Sequence, residues 1–153
     1  MTISVKLQQL GITLPTPAAA IAAYVPYVRT GSLLVVSGQL PLLDGKVMCS
    51  GHLGESVNIE QGQAAARQCA INLLAQAQAA LGTLDRVQRV VRLGGFISSA
   101  PHFTDHAKVM NGASELLESV FGDIGRHART TIGVSSLPLG AAVEVEGLFE
   151  VSL

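Results

Sequence analysis

The chain has 153 residues, 48% of them hydrophobic but only 14% charged, and a formal net charge of −1. One domain with a self-sufficient core fits this length, and the charge content lies well below the roughly 25% of an average soluble chain, so part of the surface is expected to be covered by copies of itself in a symmetric oligomer. Scattered Lys and Arg with four Phe, two Tyr and no Trp provide neither the basic stripe nor the stacking aromatics of a nucleic-acid binder.

Ile3, Val5, Leu7 and Leu10 before Gly11 predict a short N-terminal helix, which Pro15 and Pro17 keep from resuming. Met1–Leu10 lacks a basic-then-apolar leader pattern and no apolar run approaches about 18 residues, so neither export nor membrane insertion is expected. Cys49 and Cys69 show no framework spacing, and both are expected as free thiols of a cytoplasmic protein.

The small apolar run Ala18–Ala23 leads to Tyr24 and a segment reaching Arg29. Thr30, Gly31 and Ser32 form a tight-turn signal, and Leu33–Gln39 reads as a buried strand, so a hairpin is expected. Asp44-Gly45 marks a second turn and Val47-Met48 another short strand, before a loop from His52 to Asn58. From Ile59 to Leu81 the spacing of Ala66, Cys69, Ala70, Leu73, Leu74, Ala77 and Leu81 predicts a helix stopped by Gly82. A strand is expected over Val87–Ile97, with Gly94-Gly95 as a bulge. A second helix follows from about Phe103 to Phe121, its buried side running from His106 through Val109, Ala113 and Leu117.

The last two strands are expected over Thr130–Ser136 and Ala142–Leu153, joined around Leu137-Pro138. In the second, Val143, Val145, Phe149 and Val151 share one face and Glu144, Glu146 and Glu150 the other. The order is three strands, helix, strand, helix, two strands. With hairpins at both ends it predicts an α+β layer, two helices packed on one face of a mixed sheet, as one domain over residues 1–153.

Arg129 stands at the mouth of the penultimate strand and Glu144 in the last. If these strands pair as a hairpin, a guanidinium able to grip a small acid and a carboxylate able to handle a proton or a water approach one pocket. The plain alternatives are an arginine on a surface carboxylate and a glutamate on a solvated face. His102 and His106 are four apart, but Pro101 places His102 before the helix, and no third ligand accompanies them, so no metal site is expected. Cys69 falls on a buried helix face, Ser37-Gly38 lacks a nucleophile elbow, and Gly94-Gly95 lacks dinucleotide spacing. No cofactor is expected.

Three segments carry a resemblance. Tyr24, Gly31 and Val35-Val36-Ser37-Gly38-Gln39-Leu40-Pro41 form the first, Met110-Asn111 with Glu115 and Phe121 the second, and Ala128-Arg129-Thr130 through Leu137-Pro138 to Val143-Glu144-Val145-Glu146 the third. In these the chain resembles the RidA/YjgF family of reactive-intermediate deaminases from about Ala20 to Val151, with residues 1–17 as an N-terminal extension. The resemblance implies a chorismate-mutase-like fold of the bacillus type, assembled as a homotrimer with clefts between subunits. It also implies hydrolysis of small amino-acid-derived enamines or imines, such as 2-aminoacrylate, to 2-keto acids and ammonia. The alternative it leaves is a non-catalytic trimer binding a small carboxylated metabolite. By position, Arg129 would clamp the substrate carboxylate and Glu144 orient or activate the water. Tyr24, Ser37 and Asn111 would line the cleft and Gly31 supply a backbone contact. Two departures flank the arginine: Thr131 where the family often has cysteine, and His127 where it usually has proline. His127 would either contact substrate or cap the strand.

Overall fold

The computed structural model describes residues 1–20 and 22–153, so Ile21 of the small apolar run lies outside the described residues. Helix α1, Ile3–Gln9, is capped by the Thr2 side chain, which accepts from the Val5 N–H, and Gly11 leaves it at φ 69°. Its Leu7 is buried together with Ile12, and Asp85 Oδ1 accepts from the Ile3 N–H at 2.7 Å, docking the N-terminal segment on the body.

Strands β1, Tyr27–Thr30, and β2, Leu33–Gln39, form the expected hairpin around Gly31 (φ 57°). The next expected strand is instead a small separate hairpin, β3 at Leu42–Leu43 against β4 at Lys46–Val47, turning at Asp44-Gly45. Helix α2 spans Ile59–Leu81, as its periodicity predicts. Asn58 and Gln61 cap each other's backbone at its start, and Gly82, at φ 81°, ends it. Strand β5, Val87–Ser98, leads to helix α3, His106–Phe121. That helix starts three residues later than its pattern suggests, and His106 is only half-buried. Strands β6, Ala128–Val134, and β7, Val143–Val151, complete the chain.

The five long strands form one mixed sheet in the order β1-β2-β7-β5-β6, antiparallel except for β5 and β6. The β6–β7 hairpin does not exist, because β5 lies between the two. After β5 the α3 crossover returns the chain parallel to it, as a parallel neighbour requires. β7 then takes the central slot between β2 and β5, where Val143, Val145, Phe149 and Val151 are all buried. Gly94 and Gly95 stay in register with Glu146 and Val145; the irregularities of β5 fall earlier, between Val87 and Arg89 and between Val90 and Arg92.

Both long helices cover one sheet face, burying Leu73, Leu74, Val109, Met110 and Leu117 against Leu34, Val36, Leu93, Ile97 and Phe149. They pack closely at Gly112, where any Cβ would fall on the Gln63 carbonyl of α2. The opposite face carries no helix and exposes Val28, Val35 and Ile132. No helix among the described residues is long and apolar enough to cross a membrane.

Candidate functional site

Arg129 lies on the edge strand β6, opposite buried Leu93 of β5, so its side chain rises on the helix-covered side. There α3 receives it. Nη1 donates to Asn111 Oδ1 at 2.9 Å and to Ser114 Oγ at 3.1 Å. Among the described residues, the Nε/Nη2 edge carries only a 3.5 Å contact from Nη2 to the Ala107 carbonyl. One end of the fork is therefore held, and the other remains for a planar bidentate partner such as a carboxylate.

His127 completes the cluster. Its Nδ1 meets the Gly125 carbonyl at 2.7 Å and its Nε2 meets Ser114 Oγ at 2.9 Å. Burial lowers its pKa and the Arg129 charge adds to this, against the opposing pull of the Gly125 carbonyl and Glu118. A cavity of about 240 Å³ opens over Asn111, Ser114, His127 and Arg129. Thr131, one step along the same side of β6, has a buried hydroxyl with no hydrogen-bond partner among the described residues.

Glu144 stands elsewhere. It pairs with Phe96 in β7–β5 register, on the sheet face that has no helix. A Cβ on Gly38 would lie 2.5 Å from Glu144 Oε1, so the bare glycine of β2 leaves the room this carboxylate occupies. Gly94 does the same for Glu146, whose Oε1 would lie 2.7 Å from an added Cβ. Burial first, and then the Glu146 charge, raise the Glu144 pKa above the usual carboxylate value. Ser37 Oγ donates to the Val25 carbonyl at 2.8 Å, tying the segment that bears the exposed Tyr24 to the strand end beside Glu144.

The residues singled out in the sequence thus separate into two groups. Arg129, Asn111, His127 and Thr131 border the α3 side of β6; Glu144 lies at the other face, with Ser37 on the adjoining β2 tied to the segment that bears Tyr24. Gly31 joins neither. It sits at the β1–β2 tip, where neighbouring Ser32 O accepts from Val151 N, at the opposite end of β7 from Glu144. The sequence reading missed Ser114, and it gave Gly38 and Glu146, which stand in the motifs, no site role. Ser114 was detectable as the residue three beyond Asn111, on the same helix face. Among the described residues no group of three or more His, Cys, Asp or Glu is arranged to hold a metal.

The family described as "YjgF/chorismate_mutase-like, putative endoribonuclease" matches residues 4–150. Protein TCP17 of Trypanosoma cruzi is 53% identical over 151 residues, covering 98% of this chain and 94% of that protein. The crystal structure of Atu1372 from Agrobacterium tumefaciens, a protein of unknown function, is 45% identical with a TM-score of 0.92, covering 98% of this chain and 92% of its own. RidA from an Antarctic Psychrobacter is 26% identical with a TM-score of 0.61, over 89% of this chain and 94% of its own.

Proposed function

The chain belongs to the YjgF/chorismate mutase-like family, and we propose that it hydrolyses small enamine or imine intermediates of the 2-aminoacrylate type to 2-keto acids and ammonia, as a cytoplasmic homotrimer. The observation that carries this reading is the Arg129 guanidinium, with Nη1 fixed by Asn111 and Ser114 and its other edge open. A bidentate carboxylate on that edge adds about 1.5–3 kcal/mol as a charge-assisted pair and fixes the adjoining C=N carbon.

Hydrolysis then needs a water and a proton donor. A 2-aminoacrylate takes a proton at its terminal carbon to become the imine. Water adds to the imine carbon, and the resulting carbinolamine expels ammonia as the keto oxygen forms its double bond. Glu144, with its raised pKa, is suited to give the first proton as an acid and then to accept one from the attacking water. Tyr24 and Ser37 would border the same cleft.

Because Arg129 and Glu144 project from opposite sheet faces, the two roles meet only across an interface between copies. The open face supports this: Val28, Val35 and Ile132 leave an apolar surface that a neighbour would cover. A nuclease reading, drawn from the family description, meets Glu144, Glu146 and Glu150 on that face in place of a basic stripe. The test is ammonia and keto-acid release while a dehydratase generates 2-aminoacrylate in situ. Rates well above buffer, lost in Arg129→Ala, are expected; equal slow rates for both proteins defeat the reading. Keto-acid binding lost in Arg129→Ala without turnover would mark a metabolite-binding trimer instead.

A further inference from the structure

His127 and Ser114 form, with Arg129, a chain of hydrogen bonds whose direction depends on one proton. The Gly125 carbonyl can only accept, so the imidazole Nδ1, 2.7 Å away, carries a hydrogen. In the neutral ring Nε2 is then an acceptor, and the Ser114 hydroxyl donates to it across 2.9 Å. That orientation turns the lone pairs of Ser114 Oγ towards Arg129 Nη1, which donates at 3.1 Å. With the second Nη1 hydrogen on Asn111, the plane of the guanidinium is set.

Protonation of the ring reverses the middle link. Nε2–H must then donate to Ser114 Oγ, which receives N–H groups from two cations, and its own hydrogen must turn away from the ring. Two positive charges face each other across one hydroxyl. The other charged groups at this cavity are Glu118 of α3 and Arg126 of the preceding turn, which meet each other at 3.7 Å; Asn111 and Ser114 are neutral. Burial and Arg129 outweigh the Gly125 carbonyl and Glu118, and the pKa falls below 6.5, so the competent direction prevails at neutral pH.

We propose that His127, acting through Ser114, is a positioning residue that presents the open edge of the Arg129 guanidinium to a substrate carboxylate while the imidazole is neutral, and releases it on protonation. This rests on the carboxylate-clamp reading given above. Neither residue touches the reacting atoms; both set the geometry of the group that grips the substrate carboxylate.

Calorimetric titration of the assembled protein with 2-oxobutyrate from about pH 5 to 8, the range over which histidines titrate, tests it. The wild type weakens several-fold as the pH falls below 6.5. His127→Gln keeps a polar group beside Ser114 but does not titrate, and its profile is expected to be flatter. Glu144 titrates in both proteins, so the difference isolates His127. Ser114→Ala weakens binding several-fold at neutral pH and raises KM with kcat nearly unchanged, while Ser114→Thr, which restores the hydroxyl, recovers most of the loss. A His127→Gln profile that superimposes on the wild type, with Ser114→Ala binding as tightly, overturns the relay while leaving the clamp. No 2-oxobutyrate binding by the wild type at any pH overturns the clamp and the relay together.

Discussion

Arg129 and Glu144 belong to opposite faces of one sheet. Arg129 pairs with Leu93, which lies under the helices, and Glu144 with Phe96, three positions further along β5 on the open face. An odd separation in a regular strand reverses the face, and this part of β5 has no register shift. Under the proposed mechanism, a carboxylate held by Arg129 would therefore meet the Glu144 of another copy of the chain.

Complementation follows directly. Arg129→Ala and Glu144→Gln are each expected to be inactive alone. Dissociated, mixed in equal amounts and reassembled, they form interfaces of which roughly a quarter carry both native residues. Recovery of about that fraction of wild-type turnover is the expected outcome, and a mixture as inactive as its components would place both roles within one chain.

The same open face is where the proposed assembly is expected to form. Val35 pairs with Val28 on one side and Leu148 on the other, and replacing it by glutamate puts a charge in the middle of the apolar row. Val35→Glu is expected to sediment as a smaller species with an unchanged far-UV spectrum and no turnover. Native oligomer size would show that this face is not the interface.

The charge of Glu146 acts on Glu144. Burial and the Glu146 charge push Glu144 above the usual carboxylate value, so the limb of the kcat profile that Glu144 governs should stand above the ordinary carboxylate range. Glu146→Gln removes the neighbouring charge and moves that limb to lower pH; a limb that stays in place excludes the coupling.

Stability carries the opposite pH signs of the two shifted groups. Glu144 holds its proton more tightly folded than unfolded, so its favourable contribution is present below 4.5 and is lost as pH rises through the folded pKa. His127 holds its proton less tightly, so its contribution is present above 6.5 and is lost as pH falls through the folded pKa. Glu144→Gln should therefore raise Tm at neutral pH more than at pH 4, while His127→Gln flattens the decline of Tm below 6.5. Parallel Tm profiles for wild type and variants would refute both assignments.

Two glycines separate fold from function. Gly112→Ala sets a methyl on the Gln63 backbone carbonyl at the α2–α3 crossing and should cost about 1–3 kcal/mol or more by overpacking, read as a lower urea midpoint. Gly38→Ala meets the Glu144 side chain from Cγ to Oε1 and no backbone among its nearest atoms, so a displaced carboxylate, with lost turnover and a smaller stability loss than Gly112→Ala, is expected.

Much of the architecture was readable because its determinants are local. Asn58, Gln61 and Gly82 delimit α2 within a few residues of chain, and the alternation of Val143, Val145, Phe149 and Val151 with the glutamates assigns the faces of β7. Asn111 and Arg129 were singled out by motif, and the fold brings them to 2.9 Å. Strand partnership was less accessible. The turn around Leu137-Pro138 resembles a hairpin connection, but residues 135–142 carry the chain past β5, with a short helical turn at Pro138–Gly140 and Leu139 at φ 58°.

From the sequence alone came the fold class, the limits of α2, the two-faced last strand and the family whose motif holds Arg129 and Glu144. Periodicity, caps and motif residues act over a few positions, where the chain itself supplies both partners. Only the tertiary structure decided that β5 separates β6 from β7, that Ser114 and His127 support the arginine, and that Arg129 and Glu144 face away from each other. Those outcomes depend on which strand buries its apolar face most completely between its neighbours, a competition among segments distant in the chain that no local pattern records.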